Sequence, residues 1–247
     1  MSILGLIPAR YASTRFPAKA LADIQGKSMI RRVVEQARQA ASLSRVVVAT
    51  DDERIYRHVA DFGGAVVMTG THHQSGTDRC QEALGLVEGT FDYVVNIQGD
   101  EPFIRPEQID LLTSVLDGTT ELATLVKRID DPQILLNPSS PKVVLNNRQE
   151  ALYFSRQPIP YLRAYAQDPA VWLQHHTYYK HIGLYAYRTD VLARITQLPP
   201  SALEVAEALE QLRWLENSYR IRAVITDIDS YGIDTPEDLA RAPYPGM

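Results

Sequence analysis

The chain has 247 residues, 45% of them hydrophobic and 22% charged, and a formal net charge of −5. That length can bury a sizeable core in one large α/β domain or two small ones, and the acidic balance argues against general nucleic-acid affinity. Cys80 is the single cysteine, which excludes an internal disulfide and a cysteine-rich metal site, and no apolar run approaches the roughly 20 residues that cross a bilayer.

In chain order, Ile3 to Ile7 reads as a short buried strand. It opens into the stretch from Ile7 to Leu21, where Arg10, Arg15 and Lys19 sit among small residues. Pro8 and Pro17 argue against a helix there. Such a loop leaves backbone N–H groups free and aims several cations at one place, which suits a polyphosphate; a solvated basic loop fits the same residues. Gly26-Lys27-Ser28 resembles the end of a P-loop but fails, because Leu21 stands where the first glycine is needed. A helix starting at Lys27-Ser28 is predicted to bury Met29, Ile30, Val33, Val34, Ala37 and Ala41. Arg45 to Thr50 reads as a second strand, with Asp51 and Asp52 at its carboxyl end. A helix from Glu53 to Phe62 stops at Gly63-Gly64, and Ala65 to Met68 is a third strand.

Strand, helix, strand, helix, strand predicts a parallel sheet with right-handed crossovers and a ligand site outside the carboxyl ends of the strands. No G-x-G-x-x-G is present. The segment Met1-Ser2-Ile3 enters a strand at once and lacks a basic-then-apolar leader, so the cytoplasm is the expected location.

The polar loop from Thr71 to Arg79 leads into a helix through Cys80, Ala83, Leu84 and Val87. Ser75 or Thr77 is expected to cap it, while its hydroxyl, amide and backbone groups suit a base or a sugar. The adjacent pair His72-His73 lacks the spacing that puts two ligands on one helix face, and no metal is predicted there. Asp92 to Gln98 is the clearest junction of strand and site: Gly99 is expected to let the backbone turn, and Asp100 projects from the strand's end. A carboxylate so placed can hold Mg²⁺ or merely cap a turn. Pro106 begins a helix reaching to about Leu116.

From Leu122 the organisation changes. Residues 122–126, 142–145 and 151–155 read as strands, with few regular signals between Arg128 and Pro141. Residues 156–180 form an irregular excursion rich in proline and tyrosine, which suits a lid, a substrate wall or, the reading favoured in part, a subunit contact. The next strand puts His181, Gly183, Tyr185 and Tyr187 on one face, a surface suited to a sugar-sized pocket. Ser201-Ala202-Leu203-Glu204 has the form of a capping box. The helix it opens is predicted to bury Val205, Ala208, Leu209, Leu212 and Leu215, leaving Glu210 and Gln211 facing away from that stripe, toward solvent. After a late strand from Ile221 to Thr226, Thr235-Pro236 with Asp238 marks another helix start. Asp234 just before it is a candidate second carboxylate for the metal at Asp100.

Taken jointly, Pro8-Ala9-Arg10 with Ser13, Arg15, Pro17 and Lys19 resembles the N-terminal signature of the sugar-acid cytidylyltransferases. Six further stretches are similar in the family's order: 73–79, 96–102, 151–156, 181–185, 209–213 and 234–239. They narrow the resemblance to the branch that takes 3-deoxy-manno-octulosonate (Kdo). The resemblance implies transfer of CMP from CTP to the anomeric hydroxyl of Kdo, with release of pyrophosphate, for lipopolysaccharide synthesis. Another sugar acid, or a CTP-binding regulator without turnover, is the alternative. By the same resemblance Arg10, Ser13, Arg15 and Lys19 hold the triphosphate, and Ser75 lies on the cytidine side. Asp100 and Asp234 hold Mg²⁺, while Gln98, His181, Tyr185, Glu210 and Gln211 contact the sugar, Gln98 also reaching the nucleotide. The implied fold is a three-layer α/β/α nucleotide-diphospho-sugar-transferase type with a mostly parallel sheet. One domain would span 1–247, with roughly 122–190 as a smaller subdomain serving a homodimer. Ala18 departs from the family's usual glycine, and an extra methyl there is expected to tighten the loop slightly. Ser139-Ser140-Pro141 also departs from the usual pattern before Lys142.

Overall fold

The structure is a computed structural model that describes residues 1–12 and 16–242. Ser13 and Arg15 lie outside the described residues. The chain runs β1 (Ile3–Ala9), β2 (Asp23–Ile24), β3 (Lys27–Ser28), α1 (Met29–Ala37), β4 (Arg45–Thr50), α2 (Glu53–Asp61), β5 (Val66–Met68) and α3 (Gly76–Leu86). It continues with β6 (Tyr93–Asn96), α4 (Pro106–Thr113), β7 (Leu122–Arg128), α5 (Pro132–Leu136), β8 (Lys142–Leu145), β9 (Ala151–Ser155) and α6 (Trp172–His175). It closes with β10 (Tyr179–Arg188), α7 (Thr189–Ile195), α8 (Ala202–Glu207), α9 (Gln211–Glu216), β11 (Ile221–Ile225) and α10 (Pro236–Ala240).

The central sheet has the order β11-β7-β10-β6-β1-β4-β5. Along that path β10 alone runs against its neighbours; the other pairings are parallel. Strands buried on both faces need continuous apolar runs, and β1, β4 and β6 supply them. One face packs on α1, α2 and α4 through Ile30, Val33, Val34, Ile55, Val59, Ile109 and Leu112. The other packs on α3, α7 and α9 through Cys80, Ala83, Val191, Leu192, Ile195, Leu212 and Trp214. Each fully buried Val, Leu or Ile contributes about 1.5–3 kcal/mol relative to an exposed one. Two such faces make the three-layer α/β/α arrangement.

Several local expectations change. Helix α1 starts at Met29 because Ser28 caps it, accepting from the Arg31 N–H, while Lys27 and Ser28 pair with β2. Ala41 lies beyond its end and is exposed. The predicted helix from Ser201 is two: Ala208 takes a left-handed backbone (φ 50°) and ends α8, and α9 starts afresh at Gln211. Val205 is therefore 71% exposed while Leu209 and Leu212 are buried. Ala18 also has positive φ, at 58°. Glycine carries no Cβ penalty there, so the methyl of Ala18 strains the backbone rather than merely filling space.

Within 122–190, β7 and β10 are strands of the central sheet, and the β8–β9 hairpin extends from β10. Ile129, Leu135, Trp172 and Tyr178 form a small separate core beside it.

Candidate active site

Two chain segments meet where β1 and β6 end. Gly99 follows β6 and lies against β1; a Cβ there would sit 2.8 Å from the Pro8 carbonyl oxygen. Gly99 lies in the turn that the sequence reading expected, and glycine is also required for that close approach. The turn leaves Asp100 a third exposed at the rim. Asp234 arrives from the far end of the chain because the Ile233 N–H donates to the Asp100 carbonyl at 2.9 Å. Ile233 is itself buried with Ile24 and Met29. The Asp238 carboxylate accepts from the Asp234 and Thr235 N–H groups, fixing the approach to α10.

The Lys19 ammonium lies 2.6 Å from Asp100 Oδ2 and 3.0 Å from Asp234 Oδ1. Two carboxylates separated by 134 positions thus share one cation. They border a cleft of ≈ 280 Å³ that also exposes Arg10, Ser75, Gly76, Arg79 and Gln98. Ser75 caps α3 by accepting from the Asp78 N–H at 3.1 Å, so the helix's free N–H groups face the cleft. Arg79 is buried, held by Asp51 at 2.7 Å and Thr69 at 2.6 Å, and fixes the loop before α3. Asp52 caps α2, so of the two carboxylates ending β4 neither is free for a ligand. Glu101 is buried behind Asp100; burial, with the Asp100 charge, pushes its carboxyl up to about 8. The sequence reading passed over it.

The predicted sugar residues form a second cluster adjoining this cleft. The break at Ala208 turns Glu210 inward, where Thr77 donates to its carboxylate at 2.7 Å, and Gln211 is 5% exposed. This overturns the solvent-facing reading drawn from helical periodicity, which assumed an unbroken helix. Arg156 supports the break: its guanidinium donates to the Glu207 carbonyl at 2.7 Å and the Ala208 carbonyl at 3.1 Å. Burial raises the Glu210 carboxyl above the ordinary range, against the hydrogen bonds from Thr77 and Ser75. Tyr185 and Tyr187 stack on the same sheet face, edge-on to Trp214. Among the described residues, the buried side-chain atoms without a hydrogen-bond partner are the Tyr185 hydroxyl, Gln211 Nε2 and Asn96 Oδ1, and also Gln81 Oε1 on α3. Unsatisfied buried groups each cost about 1–3 kcal/mol, so Tyr185, Gln211 and Asn96 carry unmet hydrogen-bonding capacity beside this cleft. Gln98 links the two clusters, donating to the Gly183 carbonyl at 3.1 Å.

A β-bulge in β10 between Ile182 and Tyr185 shapes this wall. Thr124 fills it, its hydroxyl 2.9 Å from the Leu184 carbonyl and 3.1 Å from His181 Nε2. That hydroxyl has one proton to give, so with the carbonyl as its acceptor the imidazole N–H donates to it. Burial pushes the His181 pKa down to about 3 from 6.5. The unfolded chain therefore binds one more proton than the folded one between these values, and stability falls as pH drops through that window. The slope approaches 1.4 kcal/mol per pH unit, about one proton's worth. His181→Gln should flatten the decline in Tm between pH 6.5 and 4 relative to the unaltered protein, and parallel Tm profiles would contradict this. Thr77, Asn96, Thr124, Tyr187 and Arg156 complete the site. Thr77 and Tyr187 were singled out in the sequence, Asn96 and Arg156 lay within the quoted motifs without a role, and Thr124 carried no signal beyond its strand.

Comparison with known proteins agrees with this geometry. Residues 4–221 match the family described as Cytidylyltransferase. A 3-deoxy-manno-octulosonate cytidylyltransferase of Cytophaga hutchinsonii is 57% identical, aligned over 99% of this chain and 97% of its own. One from Parabacteroides distasonis is 59% identical over 98% and 97%. A solved CMP:2-keto-3-deoxy-manno-octonic acid synthetase, complexed with CTP, is 44% identical with TM-score 0.90, covering 98% of this chain and 96% of that one. A nucleotidyl transferase from Methanothermobacter, 13% identical with TM-score 0.63 over 97% and 95%, shares the fold alone. The chain belongs to the cytidylyltransferase family, in its 3-deoxy-manno-octulosonate cytidylyltransferase branch.

Proposed function

We propose that this chain transfers CMP from CTP to Kdo, giving CMP-Kdo and pyrophosphate. The observation that carries the reading is Lys19 between Asp100 and Asp234, in a cleft next to the buried, unpartnered Tyr185 hydroxyl and Gln211 amide. The anomeric hydroxyl of Kdo forms the new bond to the α-phosphorus. The bond from that phosphorus to the bridging oxygen of the β-phosphate breaks, pyrophosphate leaves, and the hydroxyl proton passes to solvent. Such transfers depend on positioning and on neutralising charge spread over phosphoryl oxygens.

In this reading Arg10 and Lys19, with Ser13 and Arg15, hold the triphosphate, and Ser75 with the α3 N-terminus borders the cytidine. Gln98, Tyr185, Glu210 and Gln211 orient the sugar acid. His181 is a neutral wall residue rather than a base, because its Nε2 is committed to Thr124 and burial opposes its protonation. The donor set fits Mg²⁺: two carboxylates, hard oxygens only, each within 3.0 Å of one ammonium. Bound by Asp100 and Asp234, Mg²⁺ would neutralise phosphate charge and favour ionisation of the attacking hydroxyl. A triphosphate in the cleft competes with both carboxylates for Lys19.

The test is pyrophosphate release from CTP and Mg²⁺ with a panel of acids: Kdo, its amino-substituted analogue and a sialic acid. Release fastest with Kdo is expected. Preference for another acid would overturn the substrate, and CTP binding without release would make the chain a regulator.

The excursion within 122–190 serves, in the same proposal, as a subdomain at which two copies meet. Leu152 and Tyr161 there are 59% and 65% exposed, apolar surface that a second copy would cover. No helix among the described residues is long and apolar enough to cross a membrane. The cytoplasm, where CTP is made, is the proposed location.

A further inference from the structure

We propose that His72, His73 and Glu82 form a transition-metal site of the Zn²⁺ class at the rim of the nucleotide cleft, separate from the Asp100–Asp234 pair. The spacing rule that argued against a metal here concerns helix faces. The two histidines lie instead on the loop before α3, and the third group comes from the helix itself. One ligand atom from each residue lies within 4.8 Å of the others. Around a tetrahedral Zn²⁺, with bonds of about 2.0–2.2 Å, such atoms stand about 3.3–3.6 Å apart. Small side-chain rotations close that difference.

Three features show the cluster to be built rather than accidental. His73 Nε2 and the Glu82 carboxylate are already in direct contact. Both Glu82 oxygens accept from the Gly70 N–H, at 3.0 and 3.2 Å, which orients the carboxylate. The His72 ring folds back over Gly70, where any Cβ would come within 2.5 Å of its Nδ1 and Cε1. A histidine–carboxylate hydrogen bond alone accounts for His73 and Glu82. It does not account for an exposed His72 turning its ring toward them instead of into water. The two imidazoles lie 4.3 Å apart.

Two imidazole nitrogens and one carboxylate oxygen are a donor set for Zn²⁺ and its neighbours, and a poor one for Mg²⁺. Exposure of His72 leaves a fourth position to water. The hydrogen bonds from His73 and Gly70 hold the Glu82 carboxyl below the ordinary range, so it is anionic at neutral pH. His73 and Gln74 line the cleft, so an ion here would tie the cytidine-side loop to α3.

The experiment titrates the purified chain with Zn²⁺ against a chromophoric chelator, in excess Mg²⁺ to fill oxygen sites, and repeats it with Co²⁺ read by visible absorption. One Zn²⁺ per chain is expected, with His72→Ala and Glu82→Gln each weakening it by about 10-fold or more. His72→Ala, at an exposed position outside the catalytic machinery, should leave Mg²⁺-supported pyrophosphate release unchanged in Zn²⁺-free buffer. Equal Zn²⁺ affinity in the unaltered chain and His72→Ala, or no stoichiometric Zn²⁺ binding, overturns the site without touching the sugar-acid assignment.

Discussion

Asp100→Asn is expected to lower kcat for pyrophosphate release by about 10²–10³-fold, with a much smaller change in KM for CTP. The asymmetry follows from what the carboxylate does. In the proposed reading, Arg10, the α3 N-terminus and Lys19, which border the cleft, hold the nucleotide whether or not Asp100 is charged. In the same reading, the Asp100 charge is needed where negative charge spreads over the phosphoryl oxygens and a divalent cation is held against it. The substitution keeps the shape and leaves the Ile233 N–H bonded to the backbone carbonyl of residue 100, so the approach of Asp234 should survive. Steady-state kinetics with varied Mg²⁺, together with equilibrium CTP binding, give the check. An unchanged kcat would remove Asp100 from the reaction, and a loss confined to KM would make it a ground-state contact only.

Lys19→Ala should lower kcat by about 10²-fold or more, with a different accompanying signature. Lys19 is the shared partner of both acids, with its side chain 14% exposed. Without it the carboxylates face each other with no ammonium between them. CTP binding should weaken, because a phosphate contact is lost and a positive charge is removed from beside two carboxylates. Affinity for Mg²⁺ without nucleotide should rise, because the ammonium no longer competes for the same oxygens. Titration calorimetry with Mg²⁺ alone measures this directly. Weaker Mg²⁺ binding in the variant would mean that Lys19 supports the cation site rather than competing for it. Lys19→Arg is not expected to restore turnover, since a planar guanidinium cannot occupy the narrow place between two carboxylates as a compact ammonium does.

The failures of sequence reasoning share a cause. Periodicity assumes an uninterrupted helix, and from Ser201 onward that assumption hid the break at Ala208. The break depends on carbonyls held by Arg156, some fifty positions earlier in the chain. Glu210 and Gln211 therefore read as solvent-facing from pattern and only as site residues from resemblance. Gly99 stands in the turn expected of it, but its second need, proximity to Pro8 on a neighbouring strand, is encoded by no local pattern.

The linear chain determined what local physics can determine. Continuous apolar runs made β1, β4 and β6 buried parallel strands, and Ser28, Ser75 and Thr235 started helices. Alternating strands and helices then placed the site at the strands' carboxyl ends. Tertiary structure alone decided which charges meet. Asp100 and Asp234 converge because a buried Ile233 donates its N–H across to residue 100 and Lys19 stands between them. Packing of side chains distant in sequence sets that distance, and electrostatic interaction depends on distance through space, not on separation along the chain.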